Sequence, residues 1–436
     1  MPHLLYVSAS DRTASFSSIS AALLQAAGGD TVLVGPGRYS PSQSGERFPL
    51  YVPPAVTLAG MGQRDCIIDG EGAMDLSFRP VRQEQSLVLL GDASVLSGFA
   101  VVNGGGNGIS HQLGARVLIT RNEVRGHGQH GVLISGPQEA VIKDNIFLDN
   151  GTKRFSPMTP SGIRGRQGHH IFVQGRGGMA NRTIMVDNTL TRTYADGIAI
   201  VVFFDEPEGV SMHVSVIDNL IEQSQRRGLT IAASLSGLRH RVMIDVRRNV
   251  IRDNTAYAIV AQAARPLATS PVSDSYLRVQ LFDNECRNSA EGVALFGGFG
   301  PGERNQLDAT VVGNLIGGIE RHAVRVIGGI GYRGHAARDN RVRALISQNR
   351  VEDAGGIPIL IQGGVSEAQE EAIDNEVLAQ VFGNALPVIP GQASMVINDG
   401  LLGNAVHLEE PTQPHDRVGG VMPFSLPPPD PTPGET

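Results

Sequence analysis

The chain has 436 residues, a formal net charge of −7, 54 glycines, two cysteines and no tryptophan. So mild a negative charge excludes the basic stripe of a nucleic-acid surface, and Cys66 and Cys286, far apart in sequence, exclude a disulfide framework. No apolar run approaches the length of a membrane span. Residues 1–6 lack the basic and apolar regions of a signal peptide, so the chain as written is expected in the cytoplasm, or secreted or periplasmic if a signal was removed.

From the N-terminus, apolar residues spaced by three and four over residues 16–27 predict a short amphipathic helix. It is read as a lid over the first coil of a solenoid, since a bare sheet edge invites pairing with another molecule. Strands follow over residues 31–34, 50–58, 66–68 and 87–102. Residues 1–70 are the cap and first coils, residues 71–408 the solenoid, and residues 409–436 a tail. That tail carries eight prolines from residue 410 onward; it cannot supply strand donors and is expected to be extended and disordered.

From about residue 115 to 390 a block recurs: apolar-x-apolar-x-x-Asn-x-apolar, a polar stretch, Gly or Ala, then apolar-x-apolar. Its asparagines are Asn122, Asn145, Asn188, Asn219, Asn249, Asn284, Asn314, Asn349 and Asn375. Each unit holds three strands too short to fold alone, which bury their inner faces only by stacking on the next unit. The asparagines then form a ladder of side-chain amides. The predicted fold is all-β, a single-stranded right-handed parallel β-helix with three sheets and about ten coils.

The block resembles the parallel β-helix repeat of the pectin-lyase-like superfamily. Residues 19–27, Gly29-Asp30-Thr31-Val32-Leu33-Val34, Pro36-Gly37-Arg38-Tyr39 and Glu46-Arg47-Phe48-Pro49-Leu50 resemble the DUF1565 family, which opens many such solenoids. The two resemblances cover nearly the whole chain and imply the fold. They imply little about activity, because this fold hosts lyases, hydrolases, epimerases, esterases and non-enzymes. Gly126-His127-Gly128 is similar to a polygalacturonase fragment, but the double-aspartate and Arg-x-Lys elements of that family are absent, so its catalysis is not carried over.

In the resembled superfamily, ligands lie along the outer face of one sheet, which here is the strand after each Gly or Ala. Long segments follow that strand, such as residues 234–241, 264–275, 297–307 and 328–340. They emerge at one angular position and are expected to build one wall. Immediately before the strand stands a polar column. Aligning His130-Gly131-Val132 with His169-His170-Ile171, Asp196-Gly197-Ile198 and Arg227-Gly228-Leu229 extends it through Tyr257, Glu291 and His322. Strand ends are also commonly just solvent-facing, so the column is either a site or a hydrated edge.

As a site, Asp196 orients His169, which acts as base. Arg227 neutralises a substrate carboxylate and acidifies the adjacent C–H, and Tyr257 returns a proton. His130, Glu291 and His322 bind substrate, together with Arg164 and Arg166 from the long segment 149–167. These parts suit β-elimination from a uronic acid, or C5 epimerisation. Asp196 and Glu291, three coils or roughly 14 Å apart, exceed the spacing of about 5 to 9.5 Å that paired glycosidase carboxylates need.

No cofactor is expected. Asp205, Glu206 and Glu208 would suit calcium, which prefers oxygen, or form a solvated acidic loop. Outward positions of the same strand, including Ala199, Val201, Ala232, Val260, Ala294 and Phe296, make an apolar strip that marks a partner, an apolar ligand or a covering loop.

Three functions remain open. One is a polysaccharide lyase or epimerase on uronic-acid-containing glycans, with an open groove. Another is a non-catalytic binding or structural solenoid, with the strip covered. The last is an enzyme acting on a small apolar molecule in a closed pocket. The expected partner is a polysaccharide or oligosaccharide, with no nucleic acid or membrane, and the chain is expected to be a monomer or weak homo-oligomer.

Overall fold

A computed structural model describes residues 1–11, 13–72, 85–152, 168–177, 180–202, 208–235, 237–266, 272–331, 335–366, 371–387, 393–398 and 403–408. Lys153, Arg154, Arg164, Arg166, Asp205, Glu206 and the tail from residue 409 lie outside them.

Every main pairing is parallel, and the chain winds through three stacked sheets. The first begins with Leu4–Val7, Thr31–Val34, Thr57–Gly60 and Ser94–Ser97 and ends with Glu376–Phe382 and Ala405–Leu408. Nine of its strands, from Asn107–Thr120 to Glu376–Phe382, lie in the repeat; the four before them and Ala405–Leu408 belong to coils that lack its asparagine. The second sheet runs from Gly37–Tyr39 to Arg350–Val351, and the third from Leu50–Val52 to Met395–Asn398. Asn107–Thr120 and Val132–Lys143 pass from the third sheet into the first without a break.

Alternation along each strand explains the core. In Arg241–Arg247 the residues Val242, Ile244 and Val246 point inward and are buried, the period of two that a half-buried strand requires. The apolar residues that flank each repeat asparagine, such as Val246 and Ile251 around Asn249, belong to one continuous core. Cys286 lies in that core, and burial pushes its thiol up to about 12.

The ladder runs Asn122, Asn145, Asn188, Asn219, Asn249, Asn284, Asn314, Asn349 and Asn384. Each Oδ1 accepts from the backbone N–H and the side-chain amide of the asparagine one coil before, as Asn249 does from Asn219 at 2.9 and 3.0 Å. The residue before each asparagine is left-handed, with Asp218 at φ 55° and Asp283 at φ 54°, a conformation that Asp tolerates better than most residues. Asn375, assigned to this ladder from sequence, belongs to another. Asn305, Asn340, Asn375 and Asn404 form a second ladder with the same bonding.

The second ladder marks a fourth, five-stranded parallel sheet of two-residue strands: Gly237–Leu238, Val272–Ser273, Gly302–Glu303, Ala337–Arg338 and Ala372–Ile373. This is the wall expected after the third-sheet strands. Glycine lets the two sheets meet: a Cβ on Gly329 would lie 2.4 Å from Asn375 Oδ1.

At the N-terminus the helix spans only Ile19–Leu23, shorter than residues 16–27. Phe16 instead bridges to Val7. Ser18 caps the helix by accepting from Ala21 N–H, and the Glu46 carboxylate accepts from Ile19 and Ser20 N–H at 2.7 and 2.8 Å. Ile19, Ala22 and Leu23 are buried against the first coils. Among the described residues, no helix is long and apolar enough to cross a membrane.

Several arginines fork onto the protein's own carboxylates one coil away. Arg248 binds Asp218 with two bonds of 2.8 Å, and Arg192 binds Asp149 with two of 2.9 Å. Planar paired donors match a carboxylate in this way.

Candidate functional site

The third sheet aligns the polar column coil by coil. Val132 pairs with Ile171, Ile171 with Ile198, and Ile198 with Leu229. Tyr257 pairs with Glu291, and Val293 with Val324. His130, His169, Asp196, Arg227, Tyr257, Glu291 and His322 are therefore consecutive neighbours. The following residue is Gly or Ala in every coil but that of His169, where it is His170, because it faces a crowded corner: a Cβ on Gly228 would lie 2.3 Å from Ile251 Cγ2. The chain thus enters each strand at the same angle and delivers each polar side chain to the same line.

The two histidines serve the stack itself. Asn107 Oδ1 accepts from His130 N–H, His130 Nδ1 from His169 N–H, and His169 Nδ1 from Asp196 N–H, each at 3.2 Å. Both rings substitute for ladder asparagines and carry their protons on Nε2. They stack on each other at 5.2 Å and on Phe172 at 4.6 and 5.5 Å. Burial lowers His130 well below its usual value and His169 to about 4. The hydrogen bond expected from His169 to the Asp196 carboxylate is not formed. The atoms are 3.9 Å apart, and the Nδ1 lone pair is already used by the Asp196 backbone. His127 and His170, beside the column, are interior as well. His127 accepts from Gly104 N–H through Nδ1, and its Nε2 meets Val101 O at 3.0 Å. His170 Nε2 meets Thr191 O at 3.0 Å. Burial lowers them to about 4 and about 3. His127, the histidine of the Gly-His-Gly fragment, is a packing residue.

Asp196 is 3% exposed. Burial alone would raise its carboxyl, but Arg227, His169, Arg226 and the Thr230 hydroxyl together hold it below its ordinary value. Thr230 Oγ1 donates to Oδ2 at 3.0 Å, while Oδ1 has no hydrogen-bond partner. The Arg227 NH1 nitrogen lies 3.9 Å from Oδ2, and neither it nor Nε is hydrogen-bonded. The guanidinium carbon stands 5.6 Å from the Tyr257 ring centroid.

Farther along, Glu291 is fully buried and neither of its oxygens has a hydrogen bond. Arg321 Nε and Arg325 NH1 approach Oε1 at 3.3 and 3.7 Å. Arg325, an outward strand residue missed from sequence, was hidden by its position among apolar neighbours. His322 Nδ1 contacts Ile357 O at 2.9 Å and faces the stack. Buried polar atoms are normally hydrogen-bonded, and each orphan costs about 1–3 kcal/mol. Orphans gathered on one face are thus the strongest chemical signal in the described residues, where no group of three or more His, Cys, Asp or Glu gathers around a cation position.

The apolar strip is covered. Val260, Ala294, Phe296, Ile327 and Ile330 pack with Tyr257, Phe299 and Val365, and Val201, Ala232 and Leu235 pack with Phe172. The strands Glu285–Phe299, Val324–Gly331 and Ile359–Ser366 continue past their Gly-Gly pairs, which brings Phe299, Ile330 and Val365 back over the strip.

Among solved structures, the chain is similar to the catalytic unit of a thermostable α-1,3-glucanase from Streptomyces thermodiastaticus. Identity is 15% and the TM-score 0.53, over 90% of this chain and 66% of that one. It is also similar to a polygalacturonase from Erwinia carotovora ssp. carotovora, with 11% identity and a TM-score of 0.49 over 93% and 97% of the two chains. A third is the A-module of a mannuronan C-5 epimerase from Azotobacter vinelandii, with 13% identity and a TM-score of 0.41 over 90% and 94%. No curated protein sequence matches the chain. The family model described as "Protein of unknown function (DUF1565)" matches residues 8–271. That match takes in most of the chain, from the cap through the Asp196–Arg227 part of the column, and the chain belongs to the DUF1565 family.

Proposed function

We propose that the protein is a carbohydrate-active β-helix whose polar column holds a uronic-acid-containing glycan, and that its reaction is β-elimination or C5 epimerisation. The observation that carries this reading is the Arg227 guanidinium, mostly buried, with Nε and NH1 unbonded beside a carboxylate with one free oxygen. Arg227 neutralises the substrate carboxylate and so acidifies the C5–H. Asp196 Oδ1 takes the C5 proton in place of His169, whose Nδ1 lone pair is occupied. In elimination the C–H electron pair becomes the C4–C5 double bond, the C4–O bond breaks, and Tyr257 protonates the leaving oxygen. In epimerisation Tyr257 instead delivers its proton to the opposite face of C5. A carboxylate held below its ordinary range is a weak base, so turnover is expected to be slow. A glycan is what the name of the α-1,3-glucanase implies for that enzyme, and it is carried over here by analogy of fold alone.

The test is ultraviolet absorbance of unsaturated uronate ends, and NMR of C5 configuration, over a panel of pectate, alginate and glycosaminoglycan. Product from the native chain, absent in Arg227→Ala and Asp196→Asn, is the expected result. Product that persists in both variants would remove the column from the reaction.

A second reading, a non-catalytic binding solenoid, is favoured by the covered strip, since Val260, Ala294 and Ile327 are inaccessible where an open groove would expose them. It predicts binding of a panel member with no product.

A further inference from the structure

The two ends of the column carry opposite inventories of unused hydrogen-bonding atoms. Around Arg227 the unused atoms are two donors, Arg227 Nε and NH1, and one acceptor, Asp196 Oδ1. Around Glu291 they are two acceptors, Oε1 and Oε2, and one donor, Arg325 Nε. The Glu291 side chain is 1% exposed, so water does not account for its free oxygens as it would at a surface.

An incoming group must complement each inventory. A carboxylate only accepts, so it suits the donor-rich Arg227 end. At the other end a second carboxylate would face the two Glu291 oxygens and leave them unbonded. An ammonium group would be repelled by Arg321 and Arg325. A hydroxyl both donates and accepts, so neighbouring sugar hydroxyls can donate to Glu291 and accept from Arg325.

We infer that Glu291 and Arg325 form a second subsite, specific for an uncharged hydroxyl-bearing sugar unit, two coils from the carboxylate-binding Arg227. The inference rests on the reading of the column as a glycan site. It deepens that reading by assigning the ligand mixed character: an acidic unit at Arg227 and a neutral unit about 10 Å farther along the solenoid axis at the strand spacing. Arg321 is the movable part. Its side chain is 55% exposed, and when it moves away Arg325, with NH1 3.7 Å from Oε1, remains as the opposite charge of the buried carboxylate. Swinging Arg321 outward opens a path to Glu291.

The test uses the full chain and two small probes, methyl α-D-glucopyranoside and methyl α-D-galacturonate, each soaked into crystals and titrated by calorimetry. The expected result is glucoside hydroxyls on Glu291 and Arg325, with the galacturonate carboxylate on Arg227. Glu291→Gln should weaken the glucoside roughly tenfold and leave galacturonate affinity within about twofold. Arg321→Ala should keep or strengthen glucoside binding. Thermal melting of each variant reports its folding, and the soaked native crystals decide the matter even if a variant is unstable. Galacturonate seated at Glu291, or no glucoside there, would overturn the inference. If the polysaccharide panel yields no product while the glucoside occupies Glu291, the proposed reaction fails and the subsite stands; the converse pair of results reverses that conclusion.

Discussion

At the Arg227 end of the column, the carboxylate is anchored. Thr230 donates to it, Arg227 lies 3.9 Å away, and its backbone N–H is locked onto a histidine of the stack. At the Glu291 end, the carboxylate has two arginines near it and no hydrogen bond. The first end sits beside a run of buried histidines, and the second sits one coil from Tyr257, which packs on the strip closed by Phe299, Ile330 and Val365. One repeating strand entry delivers both carboxylates, yet the neighbouring coils make one a fixed chemical group and the other an unsatisfied receptor.

Acid should separate the two ends most strongly. His127 and His169 are lowered to about 4 and His170 to about 3, with burial the largest cause in each. Their unfolded value is about 6.5, so the unfolded chain binds protons first as pH falls. Their contribution is complete above pH ~6.5 and is lost as pH drops toward 4 and then 3, by about 3 kcal/mol for His127 and for His169 and about 5 kcal/mol for His170. Hydrogen exchange at descending pH should open the coils of residues 123–200 before those of residues 276–350.

Arg227→Ala should come next. It leaves the buried Asp196 without its opposite charge, at a cost of about 3 kcal/mol, read by denaturant unfolding. Thr230→Val keeps the volume and removes the one hydrogen bond on the Asp196 carboxylate, costing about 2 kcal/mol and raising the Asp196 pKa toward its ordinary value. Glu291→Gln should have the smallest effect on folding, within about 1 kcal/mol, because no hydrogen bond is lost. A larger loss for Glu291→Gln than for Thr230→Val would show that the contrast between the two ends has been drawn the wrong way round.

The fold was legible because its signals repeat. The repeat asparagines and their apolar flanks fixed the coil, and the Gly or Ala at strand entry fixed the register of His130 through His322. The second ladder was not separated from the first, since Asn375 and Asn384 each stand two residues before an apolar one, Val377 and Leu386. Their spacing was the unused signal: Asn305 and Asn314, Asn340 and Asn349, and Asn375 and Asn384 each stand nine residues apart. The Gly-Gly pairs at 297–298, 328–329 and 363–364 recur in the same way and mark where the strands turn over the strip. The chemistry of the column was less legible. Sequence places His169 beside Asp196, but whether the ring meets the carboxylate or the backbone depends on side-chain direction, and here the backbone N–H takes Nδ1. Arg325 was hidden for a similar reason: a long side chain reaches Glu291 from a strand position whose neighbours are apolar.

The most direct measurement is exchange of the C5 hydrogen of a uronate glycan in heavy water, followed by NMR, because elimination and epimerisation share that step. The native chain should label C5 on at least one member of the panel, and Arg227→Ala and Asp196→Asn should abolish the label. Labelling by the native chain that survives in both variants, or no labelling of any uronate, would contradict the assignment of the Asp196–Arg227 end as the reacting centre.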